Sequence, residues 1–208
     1  MFSDAHIDAL RSKVAARLSE KRFTHVLGVE ACAIKLAKLF MSDKTNELRA
    51  AALLHDVTKE LPTDEQLKLL ASEKFNLTDE DMKSKQLFHS FTAPIIVRHN
   101  FPEFATADIL SAVFKHTVGD SEMSIFDKII FISDYVEDNR TFDSCIKVRE
   151  LLFNGIEELD ASERIKRLDK ACLASVNGTI KALEKNGSNI NSRILITKKN
   201  LEKQILQN

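Results

Sequence analysis

Six side chains that can bind metal ions occur at widely separated points of this chain. Each is a histidine or an aspartate, and each lies in, or at the end of, a segment whose apolar spacing predicts a helix. They are His25, His55, Asp56, His89, His116 and Asp134. Neutral imidazoles combined with carboxylates suit iron, manganese or zinc. We therefore predict that the fold brings these residues together around one metal site.

Asp134 is the strongest single indication of such a site. It interrupts an apolar run from Ile129 to Val136, where a carboxylate is destabilising unless it is paired, protonated or bound to a cation. An ordinary buried hydrogen bond or an ion pair is the alternative for Asp134 alone. Each histidine taken alone is more often a satisfied core or helix-end residue than a metal ligand, and His6 and His99 are interpreted in that way. The joint pattern on five predicted helices favours the metal site.

A site of this composition could cleave a phosphate bond. Bound cations lower the pKa of a coordinated water, so that hydroxide is available at neutral pH. Two ions can also neutralise phosphoryl oxygens and orient an in-line attack. A shared carboxylate such as Asp56 could bridge two ions. The predicted catalytic residues are His55, Asp56, Asp134 and Lys59.

Two cationic side chains near the predicted ligands could hold a phosphate. Lys59 is expected one helical turn beyond His55, where it could act as a point charge or simply be a solvated lysine at a helix end. Arg140 could bind a phosphate through its planar fork. Its spacing slightly favours a surface ion pair with Asp138 or Asp143 instead.

The segment after His116 could also meet a substrate. Thr117 offers a hydroxyl group, and the backbone around Gly119 could approach a nucleotide closely because glycine carries no side chain. Together with the ligands His25, His89 and His116, these residues complete the predicted substrate-binding set.

Composition favours one helical domain. The chain has 208 residues, 44% of them apolar, and only 8 glycines and prolines in total. Its formal charge of −1 argues against a protein that mainly holds a nucleic-acid backbone. Three separated cysteines without a CxxC pair are typical of a reducing compartment, and no stretch approaches the length needed to span a membrane. We expect a cytoplasmic protein that binds neither nucleic acid nor a membrane.

Apolar periodicity and capping residues predict a succession of helices. A first helix, residues 1–21, should pack on a core domain of residues 22–187, followed by a tail or short docking helix at 188–208. Pro94 favours a start near Phe91 for the helix that follows His89. The predicted helices cover residues 4–21, 25–40, 45–60, 63–74, 88–100, 106–117, 124–139, 144–153 and 161–185.

Four local segments resemble one known family. Residues 25–30, 51–59, 116–119 and 133–140 are similar to the motifs of the YqeK family, within the HD superfamily of metal-dependent phosphohydrolases. This resemblance implies an all-α, single-domain helical bundle. It also implies symmetrical cleavage of diadenosine tetraphosphate into two ADP at a two-metal site, with iron favoured and manganese or zinc as alternatives.

The resemblance assigns roles to individual residues. One ion would be held by His25, His55, Asp56 and Asp134, and the second by Asp56, His89 and His116. The phosphate groups of the substrate would be bound by Lys59, Thr117 and Arg140. A nucleotide such as ADP or GDP would bind as a product-like ligand. A homodimer is one open alternative for the oligomeric state.

Two other functions stay open on the sequence. The same site could belong to a nucleoside monophosphate or cyclic-nucleotide phosphohydrolase. The chain could also be a non-catalytic helical module that binds nucleotides or regulates a partner.

Overall fold

The protein folds into α-helices joined by short turns. The structure, a computed structural model, describes residues 2–207, and it contains no β-strand within them. Four 3₁₀ turns occur at Ser42–Lys44, Lys85–Leu87, Pro102–Phe104 and Ile156–Glu158. The α-helices are α1 (Asp4–Ala15), α2 (Glu20–Phe40), α3 (Thr45–Leu54), α4 (Thr63–Ser72), α5 (Asp79–Met82), α6 (Phe88–Asn100), α7 (Ala107–Lys115), α8 (Ile125–Val136), α9 (Asp143–Phe153), α10 (Ala161–Lys185) and α11 (Ser192–Gln207). The predicted all-α fold is confirmed.

Helix α8 runs through the centre of the bundle. It packs against α2, α3, α7, α9 and α10, and Ile129, Ile130 and Ile132 are completely buried. Burying such side chains stabilises the fold by about 1.5–3 kcal/mol each. Because apolar neighbours surround it, α8 holds Asp134 at a fixed place near its C-terminal end.

The first and last helices pack on the outside of this core. Apolar side chains of α1 are buried against α3, and Glu30 of α2 bonds both Arg11 and Arg49, which ties three helices together. At the other end, residues predicted as a tail or short docking helix form the 16-residue helix α11 on α10. None of the helices within residues 2–207 could serve as a membrane span, given their length and polarity.

Two helix ends differ from the sequence prediction in ways that affect the site. Helix α2 begins at Glu20, because Ser19 accepts a hydrogen bond from the backbone N–H of Arg22. Thr24 lies inside this helix and donates its hydroxyl to the carbonyl of Glu20. Helix α3 ends at Leu54, so His55 lies in a turn and not inside a helix extending to residue 60.

The two helices that position His89 and His116 also differ from the prediction at one end. Helix α6 begins at Phe88 and not near Phe91, which places His89 in its first turn and Pro94 in its interior. Helix α7 ends at Lys115, one residue before His116. His55 and His116 therefore occupy the same position, immediately after the last residue of a helix.

Candidate metal centre

Two histidines are oriented by the ends of their own helices. The Nδ1 atom of His55 lies 2.6 Å from the carbonyl oxygen of Ala52, and the Nδ1 atom of His116 lies 2.7 Å from that of Val113. Only a protonated nitrogen can bond a carbonyl oxygen, so the proton sits on Nδ1 in both rings. In each ring Nε2 is then the nitrogen that can act as a metal ligand. The C-terminal end of α3 packs beside α7, which brings the two rings to 5.0 Å between centroids.

The carboxylate of Asp56 lies between two pairs of histidines. Its Oδ2 atom is 3.8 Å from Nε2 of His25 and 3.5 Å from Nε2 of His55. Its Oδ1 atom is 3.4 Å from Nε2 of His89 and 3.6 Å from Nε2 of His116. The side chain is almost fully buried. Each carboxylate oxygen thus faces its own pair of ring nitrogens, as a bridging ligand would.

Asp134 points toward the same centre. Its Oδ1 atom lies 3.0 Å from Nε2 of His25 and 4.0 Å from Nε2 of His55. An ordinary interhelical hydrogen bond as its only partner, which was the alternative explanation, is not what the structure shows. His25, His55 and Asp134 form one group with ligand atoms within 4.8 Å of one another, and His55, Asp56 and His116 form another.

His25 is held from behind by a residue that the sequence analysis did not identify. The Nδ1 atom of His25 lies 3.1 Å from Oε1 of the buried Glu137, whose Oε2 accepts the backbone N–H of Asn139 at 2.7 Å. Gly28, one helical turn beyond His25, makes room for this carboxylate, because a Cβ there would overlap Oε2. Such a carboxylate–histidine pair fixes the ring and directs the other nitrogen at a metal.

Lys59 and Thr117 border the half of the centre that contains His89. The Nζ atom of Lys59 is 3.1 Å from Nε2 of His89. The hydroxyl oxygen of Thr117 is 3.1 Å from Nε2 of His89 and 3.0 Å from Nε2 of His116. The turn that carries Lys59 is anchored to α6, because Thr58 donates its hydroxyl to the backbone carbonyl of His89.

Two arginines flank the opposite half. Arg140 bonds Asp134 at 2.7 Å, and the expected surface pair with Asp138 or Asp143 is therefore wrong. Arg22 donates to Oδ2 of Asp56 at 2.9 Å and was missed by sequence reasoning, which placed it before the helix. In fact Arg22 lies three residues before His25 on α2, and that spacing puts both side chains on one face.

Electrostatics keeps the two carboxylates ionised. Burial raises the pKa of Asp56, but the imidazoles of His55, His116 and His89 outweigh it and hold the pKa well below its ordinary value. For Asp134, burial is likewise outweighed, by His25 and Arg140, and its pKa is also far below the ordinary value. Ionised carboxylates are the form in which these groups bind cations.

The nitrogen atoms respond to the same surroundings. Burial lowers the pKa of His25, yet Asp134 and Glu137 more than compensate and raise it. Burial and the nearby charge of Lys59 hold the pKa of His89 well below its ordinary value, so its neutral form is favoured. Burial also lowers the pKa of Lys59, although Asp56 and Asp134 oppose this effect.

The residues present fit a metal site. The Nε2 atom of His55 is buried without any hydrogen-bond partner, which is uncommon for buried polar atoms. It faces the carboxylates of Asp56 and Asp134 at 3.5 and 4.0 Å, as the ligand atom of a metal site would. Four imidazoles and two carboxylates match the donor set of iron, manganese and zinc.

Three other predictions concern residues away from this centre. Gly119 has φ +71° and its nearest side-chain neighbours are Thr197 and Met123, so its backbone conformation and packing explain the glycine without a substrate. His6 bonds Ser3 at the surface, and His99 faces Glu73. Both histidines lie outside the cluster, in accordance with the sequence interpretation. A substrate contact by Gly119 stays a prediction.

Two clefts border the centre. One has a volume of about 650 Å³ and is lined by His25, Arg22, Arg140 and the exposed Phe142, among others. The other measures about 90 Å³ and begins at Thr117.

This arrangement matches known proteins. The HD domain family matches residues 22–139. The chain is 36% identical over 136 residues to a symmetrical bis(5'-nucleosyl)-tetraphosphatase of Halalkalibacterium halodurans, covering 65% of this chain and 71% of the relative. It is 34% identical over 140 residues to the protein of the same name from Bacillus subtilis, covering 66% and 73%.

A solved structure extends the similarity to nearly the whole length. It is that of a predicted HD superfamily hydrolase from Clostridium acetobutylicum, described as involved in NAD metabolism, with a TM-score of 0.82 and 30% identity. The alignment covers 98% of this chain and 99% of that one. With its histidines and aspartates converging as the sequence pattern requires, the chain belongs to the HD-domain family of metal-dependent phosphohydrolases, alongside relatives named symmetrical bis(5'-nucleosyl)-tetraphosphatases.

Proposed function

We propose that this protein hydrolyses dinucleoside tetraphosphates at their middle, converting diadenosine tetraphosphate into two ADP. The observation that carries this proposal is the position of Asp56, whose two oxygens face separate pairs of histidine nitrogens. That geometry suits two cations side by side, as in enzymes that hydrolyse phosphate bonds. The relatives that match most of the chain carry the name of this activity.

We further propose that two divalent ions bind here, with iron favoured and manganese or zinc as alternatives. His25, His55, Asp56 and Asp134 would hold one ion, and Asp56, His89 and His116 the other. When bound, such ions supply a water of lowered pKa and neutralise phosphoryl oxygens.

The side chains around the ligands would bind and orient the polyphosphate. Arg22 and Arg140 lie on the His25 side, and Lys59 lies on the His89 side. A tetraphosphate chain that crosses the centre would therefore meet cationic groups at both ends. Thr117 can donate its hydroxyl to a phosphoryl oxygen. Because cationic groups would hold the tetraphosphate at both ends, its central phosphoanhydride bond would lie over the metal ligands.

The reaction breaks one phosphoanhydride bond. An oxygen from water bonds to one of the two central phosphorus atoms, and the bridging oxygen departs with the second nucleoside diphosphate. The water releases its protons to solvent or to a nearby base. Cations such as Arg140 stabilise the negative charge that builds up on the phosphoryl oxygens.

Product analysis tests this proposal. The metal-loaded protein is incubated with diadenosine tetraphosphate, nucleoside monophosphates and cyclic nucleotides in water enriched in ¹⁸O. We expect ADP alone from the tetraphosphate, with one ¹⁸O atom in half of the ADP molecules. Formation of AMP and ATP would contradict cleavage at the middle, and turnover of only the monophosphates or cyclic nucleotides would favour that activity instead.

Variants of the ligands test the site itself. His55→Ala and Asp56→Ala should each remove bound metal and activity, while His99→Ala, a histidine outside the cluster, should retain both. Metal content is measured by elemental analysis and folding by circular dichroism. Turnover at the parent rate by a folded Asp56→Ala variant would overturn the assignment.

We keep a cytoplasmic location and a homodimer as proposals. All three cysteines lie within the described residues, and each is free and buried, which is compatible with a reducing compartment. A net charge of −1 supports a small nucleotide, rather than a nucleic acid, as the partner.

A further inference from the structure

One phenylalanine, Phe142, is exposed to solvent, although phenylalanine side chains are usually buried. The chain has 13 phenylalanines, all of them within residues 2–207 that the structure describes, and Phe142 is the most exposed, with 69% of its surface accessible to solvent. It caps α9, and its carbonyl oxygen accepts the backbone N–H groups of Cys145 and Ile146. The backbone of Phe142 is therefore fixed by the helix, while its ring faces solvent. Much of the apolar surface of this ring is therefore left unburied by residues 2–207.

The ring borders the larger of the two clefts that reach the metal centre. This cleft runs from the start of α2 to the turn between α8 and α9 and has a volume of about 650 Å³. At its inner end are Arg22, His25 and Arg140, which contact the candidate ligands Asp56 and Asp134. The cleft is thus continuous with the place where phosphates would bind.

Size distinguishes this cleft from the other one at the centre. Pockets for small organic ligands have volumes of about 300–1,000 Å³. The cleft beside Thr117 has about 90 Å³, which is too small for a base and its sugar without rearrangement. A groove of about 600 Å³ between α7, α8 and α11 contains none of the candidate ligands. Of the cavities described here, the one beside Phe142 combines sufficient volume with contact to the centre.

We infer that this cleft binds the nucleoside of one half of a dinucleoside polyphosphate, with its base stacked on the ring of Phe142. The inference rests on the proposed function, to which it adds a specificity-determining residue. Arg22 and Arg140 would hold the phosphates of the same half, since they line the same cleft and bond the candidate ligands Asp56 and Asp134.

The chemistry of the cleft agrees with such a ligand. Every nucleobase has an apolar face that can stack on an aromatic ring, and guanidinium groups bind phosphate oxygens through paired donors. The cleft is also lined by Glu20, Thr24 and Asn139, whose polar groups can exchange hydrogen bonds with ribose hydroxyls. It therefore combines cations, polar groups and an aromatic ring, which are the groups that phosphate, sugar and base require.

A fluorescence titration tests the contact without requiring turnover. The chain contains no tryptophan, so Phe142→Trp introduces a single reporter at the proposed stacking position. We expect ADP to quench its emission in a saturable manner, whereas pyrophosphate should not. Leu151→Trp is the matched control, because Leu151 lies on α9, the helix that Phe142 caps, is 39% exposed and does not line the cleft. Its emission should not respond to ADP.

Steady-state kinetics tests whether the contact contributes to substrate binding. Phe142→Ala should raise KM for diadenosine tetraphosphate about tenfold, within the range observed when a stacked base loses its aromatic partner. The value of kcat should stay unchanged, because the ring is remote from the reacting atoms and binds substrate and transition state alike. Phe142→Tyr should restore KM, and Leu151→Ala should have no effect.

These outcomes separate the inference from the proposed function. A parent enzyme that cleaves diadenosine tetraphosphate, together with an unchanged KM in Phe142→Ala or an unresponsive Phe142→Trp variant, overturns the nucleoside site and leaves the function intact. A parent that never yields ADP contradicts the function. In that case the fluorescence titration still decides, through ADP alone, whether the cleft binds a nucleoside.

Discussion

Replacing Glu137 by glutamine should weaken metal binding without a comparable loss of stability. The Glu137 carboxylate accepts two hydrogen bonds through different oxygens, from Nδ1 of His25 and from the backbone N–H of Asn139. A glutamine of the same shape has one oxygen and one NH₂ group, so it can accept only one of them. If its oxygen faces Asn139, its NH₂ group faces Nδ1 of His25 and favours the tautomer whose Nε2 is protonated. That tautomer cannot bind a metal through Nε2, the nitrogen that faces the other ligands.

The expected magnitude follows from the role of such outer contacts. Removing a hydrogen-bond partner of a metal-bound histidine typically lowers metal affinity by about 10–100-fold, which corresponds to about 1.4–2.7 kcal/mol of binding free energy. Because Glu137 is buried and contacts His25 directly, we expect the Glu137→Gln variant to fall within this range.

Competition with a chromophoric chelator measures the affinity, and denaturant unfolding of the metal-free protein measures stability. Glu30→Gln is the matched control: Glu30 is also a buried carboxylate, but it bonds Arg11 and Arg49 on the far side of α2. That variant should lose stability and keep its metal affinity. Parent-like affinity in Glu137→Gln would refute the role assigned to this residue.

A second substitution perturbs the same contact from the opposite side. A Cβ at Gly28 would overlap Oε2 of Glu137 and lie 3.0 Å from Nδ2 of Asn139, so Gly28→Ala should displace the carboxylate. Alanine in a helix interior is favoured over glycine by about 1 kcal/mol. This helix preference can offset the effect of the overlap on stability. Metal affinity should still fall, because the carboxylate that orients His25 is displaced. Unchanged affinity in both variants would show that the carboxylate does not orient His25.

Three further expectations concern stability and metal dependence. The pKa of Asp81 is lowered from its ordinary 3.8 to about 2. Burial raises this pKa, but the hydrogen bonds from Arg193 and from the N-terminal cap of α5 lower it by more. The contribution of Asp81 to the free energy of unfolding is therefore complete above about pH 4 and lost as pH falls toward 2. In denaturant unfolding, the parent should be more stable than Asp81→Asn by about 1–2 kcal/mol at neutral pH, after solvent screening is allowed for. This difference in the free energy of unfolding should vanish near pH 2. Gly119→Ala should destabilise the protein by about 1–3 kcal/mol, because its Cβ would lie 2.5 Å from a side-chain atom of Thr197. Gly155→Ala, with a similar φ and open space around it, should cost only the backbone strain, and a loss equal to that of Gly119→Ala would contradict the packing argument. Chelation should abolish hydrolysis while the far-UV circular dichroism stays constant, because the core is apolar and independent of the metal.

The sequence predicted which residues converge, but not how each is held. Asp134 could be placed because a carboxylate within an apolar helical run needs a partner. The helix ends were misplaced. His55 follows α3 because its own ring bonds the carbonyl of Ala52, and apolar spacing contains no information on that bond. The same holds for His116 and Val113.

Contacts between distant segments could not be predicted from local sequence patterns. Arg140 has three aspartates within reach along the sequence, and only the tertiary structure selects Asp134. Arg22 was missed because α2 was started at His25, whereas the earlier start set by Ser19 places both residues on one face. Glu137 was indistinguishable from other acidic residues after α8, since its pairing with His25 depends on how α2 packs against α8.

The orientation of the ligands differs between the two halves of the centre. His55 and His116 are positioned by carbonyls of their own helices, so their directions are set as soon as α3 and α7 form. His25 and Asp134 depend instead on Glu137 and Arg140, which lie in the turn between α8 and α9.

That turn is held by one residue of α9. Arg149 donates hydrogen bonds to the backbone carbonyls of Val136, Glu137 and Arg140. Loss of this clamp should disturb His25 and Asp134 while sparing His55 and His116. Because Phe142 follows directly on the same turn, a nucleoside in its cleft would contact the segment that orients two of the metal ligands. The proposed nucleoside cleft and the metal centre therefore share this one short connection, and Arg149 supports both.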